Sequence, residues 1–194
     1  QALSRCRKLP TTSQPSPAAF MEAYADAELA GEEAVVITVA AKLSGTYQSA
    51  KLAAEDVDTK VYVIDSETAT QGEALIVREA LRLREEGLTA GEIAEALERF
   101  KKRIRIVAVV DSLKHLHKGG RIPAAVAIVG GALGIKPVIA LYDSTVKLAG
   151  KGRGRPGAMV AMFKQLDELG GIVTDYPCVV LYSDEKQLAG PVHH

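Results

Sequence analysis

Residues 35–50 read VVITVAAKLSGTYQSA, an apolar, β-branched run that changes at Lys42 into a polar turn and then into a helical pattern. A continuous apolar run favours a strand of a parallel sheet, because helices cover both faces of such sheets. The helical pattern begins at Gly45, and Ser44 is predicted to be its N-cap. The first helical amides, around Thr46, lack intrahelical carbonyl partners and favour a negatively charged group. An ordinary capped helix is the competing interpretation.

The composition narrows the class of protein. The chain has 194 residues, 47% of them hydrophobic, and 24 basic side chains balance 24 acidic ones. This balance favours neither a polyanion-binding nor a membrane-surface role, and no apolar run is long enough to span a bilayer. Two distant cysteines, Cys6 and Cys178, form neither a disulfide framework nor a zinc pattern. We therefore expect a cytoplasmic protein with a sizeable core.

Strands and helices alternate through the first part of the chain. We predict strands over residues 34–40, 60–66 and 105–111. Helices are predicted from Pro17 to Gly31 and over residues 45–56, 73–86 and 89–100. Ser16 caps the first of these helices, and a Thr89–Glu92 capping box begins the last. This alternation predicts an α/β fold with a parallel sheet and helices on both faces. Ligands bind at the carboxyl ends of such strands, where the turns 41–44 and 65–68 lie.

The pattern changes after Asp111. We predict a loop over residues 115–123, a small apolar segment over 124–133, a hairpin with its turn at Asp143-Ser144, a helix over 157–169 and a strand over 176–182. These elements predict a smaller, mixed α/β domain. The two domains are placed at residues 1–115 and 116–192.

Individual residues suggest three other functions: a hydrolase or transferase, a metal site and a nucleic-acid-binding site. Ser44, His115 and Asp65 would be the members of a Ser-His-Asp triad in a hydrolase or transferase, but there is no G-x-S-x-G elbow. In a strand, His115 and His117 would share one face, but no third metal ligand lies nearby, and a histidine pair exposed in a loop is the favoured interpretation. The basic run 151–155 could contact nucleic-acid phosphates, although a neutral chain without interleaved aromatic residues favours a solvated loop.

Several ordered motifs resemble those of the DegV family of bacterial lipid-binding proteins. They are T-S-Q-P-S at 12–16, L-S-G-T-Y-x-S-A at 43–50, D-x-L followed by G-G-R-I between 111 and 122, I-K-P-V at 135–138 and K-G-R-G-R at 151–155. Motifs spread in order over residues 8–165 are far more specific than one short pattern. The family pattern also has a strand, an Asp-Ser-Thr turn and a helix that would precede Gln1, and it ends with H-x-G-P-G, of which Gly190-Pro191 is reminiscent.

The resemblance implies a two-domain α/β fold that encloses one long-chain fatty acid, without a cofactor, a metal or catalytic residues of its own. The acyl tail would lie in the second domain, where the segment 124–133 could line a channel, and the carboxylate would lie at the domain interface. Family members present the fatty acid to a separate ATP-dependent kinase, which phosphorylates the carboxyl group to an acyl phosphate. By the resemblance, the carboxylate site would be formed by Thr12, Ser13, Ser44, Gly45, Thr46 and Arg121. Thr12 and Ser44 would hold the carboxylate, and Arg121 would lie beside it and stabilise the phosphorylated product or dock the kinase.

Overall fold

A computed structural model of the chain describes residues 11–124, 134–173 and 175–182. These residues form five strands, six α-helices and one 3-10 helix. In chain order they are α1 (Pro17–Ala30), β1 (Ala34–Thr38), α2 (Thr46–Ala54), β2 (Val61–Asp65), α3 (Gln71–Glu85), α4 (Ala90–Phe100), the 3-10 helix Lys101–Arg103, β3 (Ile106–Val109), α5 (Lys114–Lys118), β4 (Ile135–Tyr142), β5 (Thr145–Arg153) and α6 (Gly154–Glu168). The predicted α/β class is confirmed.

The first sheet pairs β1 and β2 in parallel, with Thr38 opposite Asp65 at their carboxyl ends. One face of this pair packs on α3 and α4, where Ile64, Ile76 and Leu97 belong to one buried cluster. Helix α2 contacts both strands and contributes no residue to that cluster, as expected of a helix on the opposite face. The parallel sheet with helices on both faces is therefore confirmed.

Strand β3 belongs to the second sheet, in the order β3-β4-β5. It pairs antiparallel with β4, so that Val107 lies opposite Ala140, and α6 covers this sheet with Ala158 and Met162. The prediction that residues 105–111 extend the parallel sheet is wrong. An apolar run predicts a buried strand, but it does not indicate which strand will pair with it, and here the partner follows about 30 residues later in the chain. The domain boundary at 115/116 stays a prediction, although β3 pairs across it.

Local signals are confirmed where they depend only on near neighbours. Ser16 caps α1, which ends at Gly31 in the left-handed region with φ 67°. Thr89 and Glu92 form the predicted capping box, in which Thr89 N donates to the Glu92 carboxylate at 2.9 Å and Glu92 N donates to the Thr89 hydroxyl at 3.4 Å. The predicted hairpin turn is also present, with both turn residues at positive φ, as tight hairpins require.

Other segments differ from their predictions. Residues 114–118 form α5 within the predicted loop, since His117 N donates to Leu113 O at 2.9 Å and closes a helical turn. His115 and His117 therefore do not share the face of a strand. The basic run 151–155 is not a loop, because β5 continues to Arg153 opposite Ile135 and α6 follows at once.

The strand predicted over residues 176–182 is absent from the described residues. None of the five described strands pairs with this segment, and Tyr176 instead lies beside Phe100 with the Arg103 guanidinium 3.9 Å from its ring centroid. Two further predictions lie outside the described residues. They are the apolar segment at 124–133, of which only Ala124 is described, and the Gly190-Pro191 pair.

A buried ammonium group fixes the carboxyl end of β2. The Lys101 side chain is 4% exposed, and its Nζ lies 2.7 Å from Glu98 Oε2 and 3.2 Å from Glu67 Oε1. The same Nζ donates to the backbone oxygen of Asp65 at 2.9 Å. Lys102 donates to both carboxylate oxygens of Glu67, at 2.6 and 2.7 Å. This ion cluster joins the region after α4 to the loop that leaves β2.

The pKa values of this ion cluster make folding sensitive to acid. Burial raises the pKa of Glu67, but the hydrogen bonds and charges of Lys102 and Lys101 outweigh burial and hold the pKa below its ordinary value. Burial lowers the pKa of Lys101, and the carboxylates of Glu98 and Glu67 outweigh it and raise that pKa. The Glu67 contribution to stability is therefore present above the ordinary glutamate pKa of about 4.3 and is lost as the pH falls through the folded-state pKa.

We expect the Glu67→Gln variant to have a lower free energy of unfolding than the unsubstituted protein at pH 7. The difference should shrink as the pH falls from about 5 to about 3, because protonation then removes the same charge from the unsubstituted protein. Urea unfolding at the two pH values measures this change. Glu95→Gln is the control, since Glu95 is exposed and makes no ion pair with the described residues. A Glu67→Gln difference that does not change with pH would contradict the prediction.

Gly152 of β5 lies directly against the start of α6. A Cβ at this position would come within 2.1 Å of the backbone atoms of Gly157 and Ala158. We expect Gly152→Ala to lower the free energy of unfolding by about 1–3 kcal/mol, because the strand or the helix must shift. Gly150→Ala is the matched control, since a Cβ there would meet only side-chain carbons at 3.5 Å or more. Denaturant unfolding of both variants measures the effect, and equal losses would contradict this account.

Candidate functional site

The candidate site lies where β1 and β2 end side by side. Ser66 N donates to Thr38 O at 3.1 Å, which extends the strand pairing by one step. Ala40 N then donates to Thr68 O at 2.8 Å, so the chain leaving β1 is bonded to the chain leaving β2. Two loops that are distant in sequence thus form one rim at the carboxyl edge of the parallel sheet, the edge at which such sheets bind ligands.

A tight turn carries Ser44 to the start of α2. Ser44 N donates to Ala40 O at 3.2 Å, and α2 begins at Thr46 with Gly45 at the N-cap position. The predicted N-cap at Ser44 is therefore wrong by one residue. The Ser44 hydroxyl still accepts a hydrogen bond from Thr46 N at 3.3 Å, and it lies 2.8 Å from Thr46 Oγ1. Two hydroxyls and the first amide of α2 meet at one half-buried point.

Arg121 reaches this turn from 78 residues further along the chain. Its Nε donates to Leu43 O at 3.0 Å, and its Nη1 donates to Gly119 O. The guanidinium is thus held beside the residue that precedes Ser44. The structure brings together Ser44, Thr46 and Arg121, as their assignment to one site requires.

The segment that contains Thr12 and Ser13 lies close to the same turn. A Cβ on Gly45 would come within 2.6 Å of Gln14 Nε2, so the Gln14 side chain packs directly on Gly45. Any larger residue at position 45 would displace it. Thr12 and Ser13 are exposed, and their hydroxyls make no hydrogen bond within the described part of the chain. Their predicted contact with a carboxylate stays a prediction.

Asp65 has a structural role that the sequence analysis does not predict, since it places this residue only in a triad and in the turn 65–68. Its Oδ1 accepts hydrogen bonds from Ala41 N at 3.1 Å and from Glu67 N at 2.9 Å. The available signal was an aspartate at the end of a predicted strand, where its carboxylate meets free backbone amides. Among the described residues no hydrogen bond joins Asp65, His115 and Ser44, so the triad geometry is not assembled.

The segment of the sequence around Arg121 is rich in basic residues. From residue 112 to residue 142 the sequence contains no aspartate or glutamate, and it contains Lys114, Lys118, Arg121, Lys136 and two histidines. Lys136 pairs with Asp111 at 2.5 Å. The segment that leads to Arg121, including α5, therefore carries only neutral and basic side chains.

The described residues also limit the class of site. They contain no group of three or more His, Cys, Asp or Glu side chains arranged to hold a metal ion. None of their helices has the length and apolar content that crossing a bilayer requires.

Comparison with known proteins places these features in one family. A family model described as "Uncharacterised protein, DegV family" matches residues 1–191. A DegV domain-containing protein of Caldanaerobacter subterraneus subsp. tengcongensis is 33% identical over 191 residues, which are 98% of this chain and 68% of that protein.

Solved structures agree with this match. A fatty-acid-binding DegV family protein from Thermus thermophilus is 37% identical, with a TM-score of 0.75 over 83% of this chain and 57% of its own. The Streptococcus pneumoniae fatty acid kinase B3 protein, loaded with linoleic acid, is 28% identical, with a TM-score of 0.76 over 87% of this chain and 60% of its own. The chain thus spans about two thirds of the curated relative and less than two thirds of either solved structure. With a family match over residues 1–191 and a relative similar over almost its whole length, the chain belongs to the DegV family.

Proposed function

We propose that this protein binds a long-chain fatty acid, with the carboxylate at the Ser44 turn and the acyl chain enclosed in the part that follows β3. The observation that supports this most is the convergence of the Ser44 and Thr46 hydroxyls and the first amide of α2 beside Arg121. Relatives from Thermus thermophilus and Streptococcus pneumoniae are described as binding fatty acids. Thr12, Ser13 and Gly45 complete the proposed carboxylate site.

The energetics of a fatty acid suit a site of this kind. Burial contributes about 0.8 kcal/mol for each methylene group, so a long acyl chain provides about 10 kcal/mol before the entropic costs of association are subtracted. A buried carboxylate costs several kcal/mol unless hydrogen bonds replace its water. Hydroxyl and amide donors around Ser44 offer that replacement, and the N-terminus of α2 adds a favourable field.

We propose further that the bound fatty acid is the substrate of a separate ATP-dependent kinase. One carboxylate oxygen bonds to the γ-phosphorus of ATP, the bond from that phosphorus to ADP breaks, and ADP leaves with the bonding electron pair. The products are an acyl phosphate and ADP. Neutral donors at Ser44 leave more electron density on the carboxylate oxygen than a direct ion pair would, which favours its attack.

The position of Arg121 suits the transfer of the phosphoryl group to the bound fatty acid. Its guanidinium lies beside the Ser44 turn on a stretch without acidic side chains, which favours an incoming phosphate or an acidic kinase surface. In this proposal the protein binds and presents its ligand without catalytic residues or a cofactor of its own, in the cytoplasm, where ATP is available.

We expect Ser44→Ala to raise the Kd for palmitate by at least about tenfold, because a hydrogen bond to a charged group contributes about 1.5–3 kcal/mol. Isothermal titration of delipidated protein measures the change. Thr59→Ala is the control, since Thr59 bonds to Glu32 O at the opposite, amino edge of the sheet. Unchanged binding by Ser44→Ala would contradict the proposed carboxylate site.

Native mass spectrometry of freshly purified protein should also show the added mass of a fatty acid, and consistently empty protein would contradict the proposed function.

We expect Arg121→Ala to separate ligand binding from presentation. The Kd for palmitate should change by less than about threefold, whereas acyl phosphate formation by the partner kinase should fall by at least about tenfold, as for the loss of a charge contact made only during transfer. Kinase assays with palmitate-loaded variants measure the rate. Lys51→Ala on α2 is the control, since Lys51 lies over the Tyr47 ring rather than beside Leu43. Equal losses in Kd and rate would show that Arg121 serves binding alone.

A further inference from the structure

We propose that Asp65 is a positioning residue for the carboxylate site: its side chain fixes the turn that carries Ser44 and thereby sets the affinity for a charged head group. This inference rests on the proposed function. Asp65 is not assigned any contact with the ligand, and its effect is transmitted through the backbone between residues 41 and 44.

The first step is the contact between the Asp65 carboxylate and the beginning of the turn. Asp65 Oδ1 accepts from Ala41 N at 3.1 Å, and the turn closes three residues later, where Ser44 N donates to Ala40 O at 3.2 Å. Hydrogen bonds with an ionised acceptor are stronger than neutral ones. A shift of Ala41 therefore moves the peptide groups that place the Ser44 hydroxyl.

The second step is that the carboxylate itself has a rigid base. Asp65 is the last residue of β2, paired with Thr38, and its backbone oxygen accepts from the buried Lys101 Nζ at 2.9 Å. Its Oδ1 also accepts from Glu67 N at 2.9 Å, which fixes the side chain over its own loop. The acceptor for Ala41 is thus held by the strand, by the loop and by the ion cluster.

The third step is that the turn is bonded at both ends by opposite charges. Asp65 accepts from the amide of Ala41, and Arg121 donates to the carbonyl of Leu43 at 3.0 Å. Arg121 is exposed, whereas the Asp65 carboxylate is held by its strand and its loop, so the Asp65 contact is the one that fixes the turn. Small displacements of donors weaken an electrostatic site because the donors must be aimed at the charge in advance.

Three variants test the proposal. Asp65→Ala removes the acceptor, Asp65→Asn keeps a neutral oxygen at the Oδ1 position, and Asp58→Ala makes the same truncation at an exposed aspartate in the loop before β2. Two ligands separate charge from chain burial, since methyl palmitate keeps the acyl chain of palmitate and removes the negative charge. Kd values for both ligands are measured on delipidated proteins that have been checked for folding by circular dichroism.

We expect Asp65→Ala to raise the Kd for palmitate by about tenfold and the Kd for methyl palmitate by less than about twofold, because only the charged head group depends on aligned donors. Asp65→Asn should recover most of the affinity, and Asp58→Ala should match the unsubstituted protein. A loss of the same size for both ligands would reveal a merely structural role, and unchanged palmitate affinity would overturn the proposal.

Amide hydrogen exchange measures the stability of the turn in the absence of any ligand. In Asp65→Ala the amides of residues 41–46 should exchange faster, whereas those of β1 and of α2 beyond its first turn should keep their rates; Asp58→Ala should change neither. Unchanged exchange at 41–46 would overturn the inference even in a protein that binds fatty acid. Failure of the unsubstituted protein to bind palmitate would instead overturn the proposed function, and exchange alone would then decide whether Asp65 fixes the turn.

Discussion

The parallel pairing of β1 and β2 is the constraint on which the rest of the site depends. Because parallel strands end at the same edge, Thr38 and Asp65 lie opposite each other, and the loops that follow them must leave side by side. The hydrogen bond from Ala40 N to Thr68 O then holds the two loops together. The Asp65 carboxylate reaches Ala41, in the loop that leads to α2, because this register brings the two strand ends together.

The second sheet meets the same rim through backbone contacts. Ser144 N, in the tight turn between β4 and β5, donates to Glu67 O at 3.0 Å, and both residues have positive φ values, 61° and 56°. Glu67 also carries the ion pairs with Lys101 and Lys102. One loop thus contacts the hairpin of the second sheet, the ion cluster and the end of β2. A displacement of the hairpin would therefore first displace the loop that contains Glu67, which adjoins the candidate site.

The balance of charge at this rim suits a protein that must hold an anion and later release it in a new form. In the proposed function the hydroxyls of Ser44 and Thr46 stabilise the carboxylate without neutralising it, whereas Arg121 is bonded to the backbone oxygen of Leu43, outside the pair of hydroxyls. In the proposed function this division leaves the carboxylate reactive and keeps a fixed positive charge available for the phosphate.

The sequence by itself determined the helix caps, the hairpin turn and the family. Ser16, the Thr89–Glu92 box and the hairpin turn act on residues two to four positions away, so their patterns are complete in the sequence, and ordered motifs such as L-S-G-T-Y-x-S-A identify the family without a structure. Tertiary structure alone decided that β3 joins the second sheet, that Arg121 bonds to Leu43 and that Asp65 bonds to Ala41. Each of these contacts joins residues at least 24 positions apart, and such partners are chosen by the packing of sheets and helices rather than by any pattern of neighbouring residues.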